Sequence, residues 1–315
     1  MGGLQVTSAA VIIMIINENV FVTQFKHKPV FANECVEALD IQASGRYVDA
    51  TFGRGGHSQL ILEQLGSDGT LIAFDQDLAA ITHAKTQMVD ERFSIIHDNF
   101  ANMAQHLQPS SIHGILMDIG VSSPQLDDAS RGFSFMRDGP LDMRMNQSKG
   151  QSAYEYLMRV NEKDLQYALS VYGEERHARK VAQAIISARK NQQLKDSTQS
   201  LVHIVVAAGL KRDKHKHPAT RTFQAIRMVV NQEAQVLEEG LKAALHSLAI
   251  GGKLVVISFH GLEHRVVKAF VRHYRQKDGD IVLKALGKAQ GVSFREKREN
   301  PRSRSAYLRV MERIK

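Results

Sequence analysis

The residues best suited to chemistry begin with a glycine-rich turn, Phe52-Gly53-Arg54-Gly55-Gly56-His57. A β-rich run, Tyr47–Thr51, leads into it, and a run with helical spacing, Ser58–Leu65, leads out. At such a strand–turn–helix junction doubly wound sheets hold adenosine cofactors. Glycines let the backbone approach the ligand, and the helix start offers free N–H groups. The spacing departs from G-x-G-x-x-G, because His57 stands where the third glycine would fall. That departure argues against a nicotinamide dinucleotide and for another adenosine ligand. Asp75 ends the next β-rich run, where a carboxylate can accept both hydroxyls of a ribose. Asp98-Asn99-Phe100 ends the third run and Asp118 the fourth, so four consecutive strand ends carry glycine or polar residues.

The segment after the fourth run is Asp118-Ile119-Gly120-Val121-Ser122-Ser123-Pro124-Gln125. In methyl-transferring sheets this is where the acceptor is met. The amino group of a nucleobase is a poor nucleophile, because its lone pair is delocalised into the ring. A pair of hydrogen-bond acceptors can hold the amine hydrogens and turn the lone pair toward the methyl group. Ser123-Pro124, with Asp118 nearby, approximates the Asp/Ser-Pro arrangement that does this, so Asp118, Ser123 and Pro124 are the candidate catalytic residues. Methylation at carbon-5 of cytosine would need a cysteine nucleophile. The single cysteine, Cys35, lies upstream of the glycine turn.

His260-Gly261-Leu262-Glu263-His264 matches the inverted zinc-peptidase pattern H-x-x-E-H, which requires its residues on one helix plus a distant ligand. Here His260 directly follows the strand-like Val255–Phe259, so it is read as a strand-end residue near the acceptor, and no metal is expected.

These residues need elements to position them. Tyr47–Thr51, Thr70–Phe74, Phe93–His97 and Gly114–Met117 read as strands, alternating with helical runs such as Leu78–Met88, the rhythm of βαβ units and a parallel sheet. From about Gln125 to Leu248 only turns and helical patterns occur. Phe223, Ile226, Val230, Ala234, Leu237, Leu241, Leu245 and Leu248 form one apolar stripe at helical steps. Asn161 with Asp164, and Asp196 with Gln199, read as helix starts. Strands resume at Lys253–Phe259, Asp280–Leu283 and Ser305–Val310. A sheet interrupted and then completed predicts an inserted helical domain. The expected division is 27–126 with 235–315 for the sheet domain and 127–234 for the insertion.

The chain has 315 residues, a formal net charge of +8 and ordinary hydrophobic content, so a polyanionic partner is expected. Lys211, Arg212, Lys214 and Lys216 lead to Arg221, and a second basic cluster includes Arg302 and Arg304; these are the candidate nucleic-acid contacts. Phe133, Phe135 and Phe223 are read as core before base-stacking groups. One cysteine fits a reducing, cytoplasmic compartment. The apolar run Ala9–Ile16 is too short to span a bilayer, which takes about 20 residues, and residues 1–26 are read as an appended strand or disordered tail.

Together these stretches resemble the bacterial 16S rRNA (cytosine-N4)-methyltransferase family, RsmH or MraW. The likeness runs from residue 27 to about 312. It is carried by Asp49–Ser58, Gly120–Asp128, Arg131–Met145, Tyr172–Arg176, His217–Ala225, Ile257–His260 and Asn300–Ser305. The resemblance implies a class I (Rossmann-like) α/β methyltransferase sheet with an inserted helical substrate domain. It also implies S-adenosyl-L-methionine as donor and N4-methylation of one cytidine in the decoding centre (P site) of 16S rRNA, within the small ribosomal subunit or its precursor. Carried over by position, the donor contacts are Gly55, Gly56, His57, Asp75, Phe100, Asp118 and Gln125, which leaves Asp118 contested between donor and target amine. This chain has Gly261 and His264 where the family pattern has Ser and Asp. Two other readings stay open: an amino methyltransferase acting on DNA, and a non-catalytic ribosome-assembly factor. The oligomeric state, a homodimer included, is left open.

Overall fold

The computed structural model describes residues 29–209, 217–275 and 283–315. The expected tail 1–26 and Lys211, Arg212, Lys214 and Lys216 lie outside the described residues. The strands are β1 (Arg46–Asp49), β2 (Thr70–Asp75), β3 (Phe93–His97), β4 (Ile112–Asp118), β5 (Leu248–Ser258), β6 (Leu283–Ala285), β7 (Gln290–Gly291) and β8 (Tyr307–Arg313). They form one sheet in the order β3-β2-β1-β4-β5-β8-β6, with β7 also on β8. β1 to β5 are mutually parallel, whereas β8 runs antiparallel to β5 and to β6. The strand order reverses between β1 and β4, which creates the crevice where such sheets bind ligands.

The parallel strands are apolar on both faces because helices cover both. Alternation along the strands sorts the side chains. Val48, Ile115, Met117, Leu254 and Val256 pack with Leu237 and Leu241 of helix Glu233–Ser247 and with Phe270 of helix Gly261–Tyr274. Tyr47, Leu116, Val255 and Ile257 pack on the other face with Cys35 and Leu39 of helix Ala32–Leu39 and with Ile61 of helix Gly56–Leu62. A separate core, drawn from Phe133 through Ile226, joins helices Ala153–Arg159, Glu162–Val171, Ala178–Lys190, Thr198–Ala207 and Thr220–Val230.

Three local expectations are revised. The apolar stripe from Phe223 to Leu248 is two helices, Thr220–Val230 and Glu233–Ser247, separated at Gln232, which takes a left-handed φ of 50°. The break serves packing: Phe223 and Ile226 enter the helical core, Leu237 and Leu241 the sheet core, and no single straight helix could face both. Leu248 already belongs to β5, which runs through Gly251-Gly252 with a register irregularity against β4. The helix expected to start on Asp196 is capped instead by Ser197, whose hydroxyl accepts from the Ser200 N–H at 3.2 Å. Asp196 accepts from the distant Leu141 N–H at 2.8 Å. Asn161 caps its helix as expected, accepting from the Asp164 N–H at 2.9 Å. Phe133 and Phe223 are buried in the helical core. Among the described residues no helix is long and apolar enough to cross a membrane.

Candidate active site

A cavity of 1650 Å³ opens at the C-terminal ends of the first four strands and brings together the glycine turn, Asp75, Phe100, Asp118 and the loop through Gln125. Two features of the glycine turn are compulsory. Gly53 and Gly55 hold φ of 56° and 75°, a region that costs an L side chain roughly 1–2 kcal/mol. A Cβ on Gly55 would stand 2.8 Å from the Phe52 ring, and one on Gly56 would stand 3.1 Å from Pro29.

The turn and Asp75 hold each other. The Gly53 N–H donates to Asp75 Oδ2 and the Asp77 N–H to Oδ1, both at 2.8 Å. Each carboxylate oxygen keeps a second lone pair, which suits a ribose diol. Burial pushes the Asp75 pKa up to about 6, against the lowering effect of those two N–H groups.

His57 is buried in the first turn of helix Gly56–Leu62. Its Nε2 meets the Val30 carbonyl at 3.0 Å, and its Nδ1 faces Asp118 Oδ2 at 3.7 Å. Asp118 ends β4, its backbone N–H donating to Thr51 Oγ1 at 2.7 Å, so adjacent strand ends are tied together. Its Oδ1 is buried without a hydrogen-bond partner. Burial pushes the Asp118 pKa up to about 6; the carboxylates of Asp49 and Glu263 push the same way and His57 opposes them. An orphaned carboxylate oxygen beside a glycine cradle fits a cationic, adenosine-bearing donor and an amine to be held.

Ser123 and Pro124 begin the short helix Ser123–Asp127 and line the same cavity. Gln125 is buried with its amide engaged at both ends: Oε1 accepts from the Ser122 N–H at 3.0 Å, and Nε2 donates to Asp77 Oδ2 at 2.8 Å. It braces the loop as well as facing the cavity. Phe100 opens a 3-10 turn capped by Asn99 and packs so tightly on Gly240 that a Cβ there would lie 2.3 Å from its ring.

The basic candidates separate. Arg302 reaches the cavity rim but is paired with Asp127 at 2.6 Å. Arg304 is exposed on the 3-10 segment Pro301–Ser305, and Arg221 lies in the first turn of helix Thr220–Val230. His260 caps helix Gly261–Tyr274 at the end of β5 and lines the cavity. His264 turns elsewhere: Arg309 Nη2 donates to its Nε2 at 3.2 Å, and its ring packs on Tyr307. The peptidase arrangement is therefore not built. Cys35 is fully buried, its thiol pushed well above the usual range by burial, and it is no cavity nucleophile.

Sequence reasoning missed Asp77 and Arg131. Asp77 accepts from the Ala79 N–H at 3.0 Å and from Arg131 Nη1 at 2.8 Å, besides Gln125. Arg131 also donates to the carbonyls of Arg144 and Met145, each at 3.0 Å. The Asp77 signal is a helix cap one position before Leu78; the long-range partners have none.

The sequence profile of the MraW methylase family matches residues 24–314. The chain is 49% identical over 309 residues to ribosomal RNA small subunit methyltransferase H of Alteromonas mediterranea, covering 92% of this chain and 98% of the relative. Among solved structures, an rRNA methylase from Streptococcus thermophilus is similar with a TM-score of 0.42 at 11% identity, over 90% of this chain and 94% of that one. The family profile over residues 24–314 and the 49% identity to the Alteromonas relative settle the assignment: the chain belongs to the MraW methylase family, as a methyltransferase whose donor is S-adenosyl-L-methionine.

Proposed function

We propose that the enzyme methylates the N4 amine of one cytidine in the decoding centre (P site) of 16S rRNA, acting in the cytoplasm on the small ribosomal subunit or its precursor. The observation that carries the chemistry is the orphaned, buried Oδ1 of Asp118, set between the glycine turn and Ser123-Pro124. The rRNA assignment follows the name borne by the Alteromonas relative. Residues 27–126 with 235–315 form the donor-binding domain and 127–234 the substrate domain.

When bound, the donor supplies an electrophilic methyl group on a sulfonium. Gly53, Gly55 and Gly56 let the backbone close on it, Asp75 takes the ribose, and Phe100 offers a face for the adenine. Asp118 and the Ser123-Pro124 backbone accept the amine hydrogens, which localises the nitrogen lone pair. Transfer of the methyl group would leave the nitrogen with one proton to lose, and the neighbouring Asp118 carboxylate would take it on its way to solvent. The Asp118 carboxylate, held near pKa 6, is an acceptor at neutral pH.

The test is transfer of labelled methyl from the donor to small-subunit particles lacking the modification. N4-methylcytidine at a single position is expected. Label on DNA or protein alone would overturn the proposal. Gly55→Asp separates the assembly-factor reading: it should abolish both donor binding and methylation, whereas a non-catalytic role predicts unchanged particle assembly.

A further inference from the structure

Along the same cavity Glu233, His260 and Glu263 converge, one ligand atom from each lying within 4.8 Å of the others. They come from different parts of the chain. Glu233 opens helix Glu233–Ser247 just after the left-handed Gln232, while His260 and Glu263 stand at the junction of β5 with helix Gly261–Tyr274. Glu263 is 2% exposed. Its Oε2 accepts the backbone N–H groups of Phe259 and His260, at 2.7 and 3.2 Å. Its Oε1 has no hydrogen-bond partner, and neither has either ring nitrogen of His260, although all three atoms are shut from solvent.

His260 Nε2 and Glu263 Oε1 lie 2.7 Å apart, an ion pair when the imidazole is protonated, but the angle is not that of a hydrogen bond. Two polar atoms that close, both buried and neither aimed at the other, are costly unless a third body lies between their lone pairs. Ligands about 2.0–2.2 Å from one ion stand roughly 3.0–3.5 Å from each other, so a small outward turn of either side chain from this 2.7 Å contact would seat an ion. Among the described residues the carboxylates of Glu233, Glu263, Asp118 and Asp49 act together here, with Arg227 and the imidazoles of His57 and His260 as the positive or neutral partners beside them. Arg227 forks onto both oxygens of Glu233 at 2.7 Å, but each oxygen retains a second lone pair.

We propose that Glu233, His260 and Glu263 bind one divalent cation of mixed nitrogen and oxygen preference, zinc or manganese. This departs from the sequence-based expectation of no metal and does not revive the peptidase reading, since His264 takes no part. Imidazole with carboxylates suits these ions, and three protein ligands leave a coordination position open to the cavity. The ion would pin the first turn of helix Glu233–Ser247 to the end of β5, across the point where the helical core meets the sheet core.

The experiment is binding of Zn²⁺ and, separately, Mn²⁺ to chelator-treated full-length protein, followed by calorimetry and by metal analysis after dialysis. One equivalent per chain is expected, weakened at least about tenfold in His260→Ala and in Glu263→Gln. His106→Ala, at the other close imidazole–carboxylate contact with Asp98, should leave binding unchanged. No bound ion, or equal binding by wild type and His260→Ala, would overturn the proposal. If either cavity variant fails to fold by thermal melting, Glu233→Gln gives the same reading, because it leaves the cap of helix Gly261–Tyr274 intact.

Discussion

Asp77 and Arg131 meet at 2.8 Å with side chains only 10% and 8% exposed, joining the loop after β2 to the segment that enters the helical block. The pair does more than tether. Asp77 also caps helix Leu78–Gln87 and fixes the amide of Gln125, while Arg131 gathers two carbonyls. Both arms of the cavity therefore hang on one carboxylate.

Asp77→Ala leaves Arg131 buried without its counter-charge, and breaking such a pair costs about 3–5 kcal/mol. Urea unfolding should register that loss. Asp77→Ala with Arg131→Met should regain part of it, because the uncompensated charge is gone. A double variant no more stable than Asp77→Ala would show that the cap and the Gln125 contact outweigh the ion pair.

Stability should depend on pH through Asp75 and Asp118, both pushed up to about 6 in the fold from an ordinary value of 3.8. Between those values the folded protein holds protons that the unfolded chain has released. Unfolding free energy in the absence of donor therefore falls as pH rises from about 4 to about 6, then levels, as far as these groups are concerned. Asp118→Asn removes its share of the fall and should stabilise the protein at pH 8 by on the order of 1–3 kcal/mol. A variant less stable than wild type at pH 8 would contradict this.

Gly55→Ala must adopt a φ of 75° and push aside the Phe52 ring. Donor affinity measured by calorimetry should fall at least about tenfold, equivalent to 1.4 kcal/mol. Unchanged affinity would mean the turn relaxes without touching the donor.

Gly240→Ala sets two effects against each other. Replacing a mid-helix glycine gains about 0.5–1 kcal/mol. The new methyl would lie 2.3 Å from the Phe100 ring, and overpacking costs about 1–3 kcal/mol. The clash should win, lowering stability and donor affinity together. In the Phe100→Ala background the same change should become neutral or stabilising, and a double-mutant cycle measures the difference.

The sequence was sufficient for what depends on local chemistry. The glycines of the turn announce a close backbone approach, Asp75 and Asp118 announce strand ends, and Asn161 announces a cap, because each effect acts within a few residues. The alternating strand and helix runs placed β1 to β4, whose apolar strands and punctuating glycines are local signals too. The break at Gln232 was illegible for a physical reason: the apolar stripe continues through it in sequence, and only the presence of two cores in different places requires a bend. Ser197 was passed over because Asp196 is the equally plausible cap, and a contact with Leu141 draws Asp196 away. The pairing of Asp77 with Arg131, the seat of Phe100 on Gly240 and the convergence of Glu233 on His260 and Glu263 were decided by tertiary structure alone. Each joins residues whose separation along the chain carries no pattern, and whose burial, which sets the strength of their interaction, exists only once the helices have packed on the sheet.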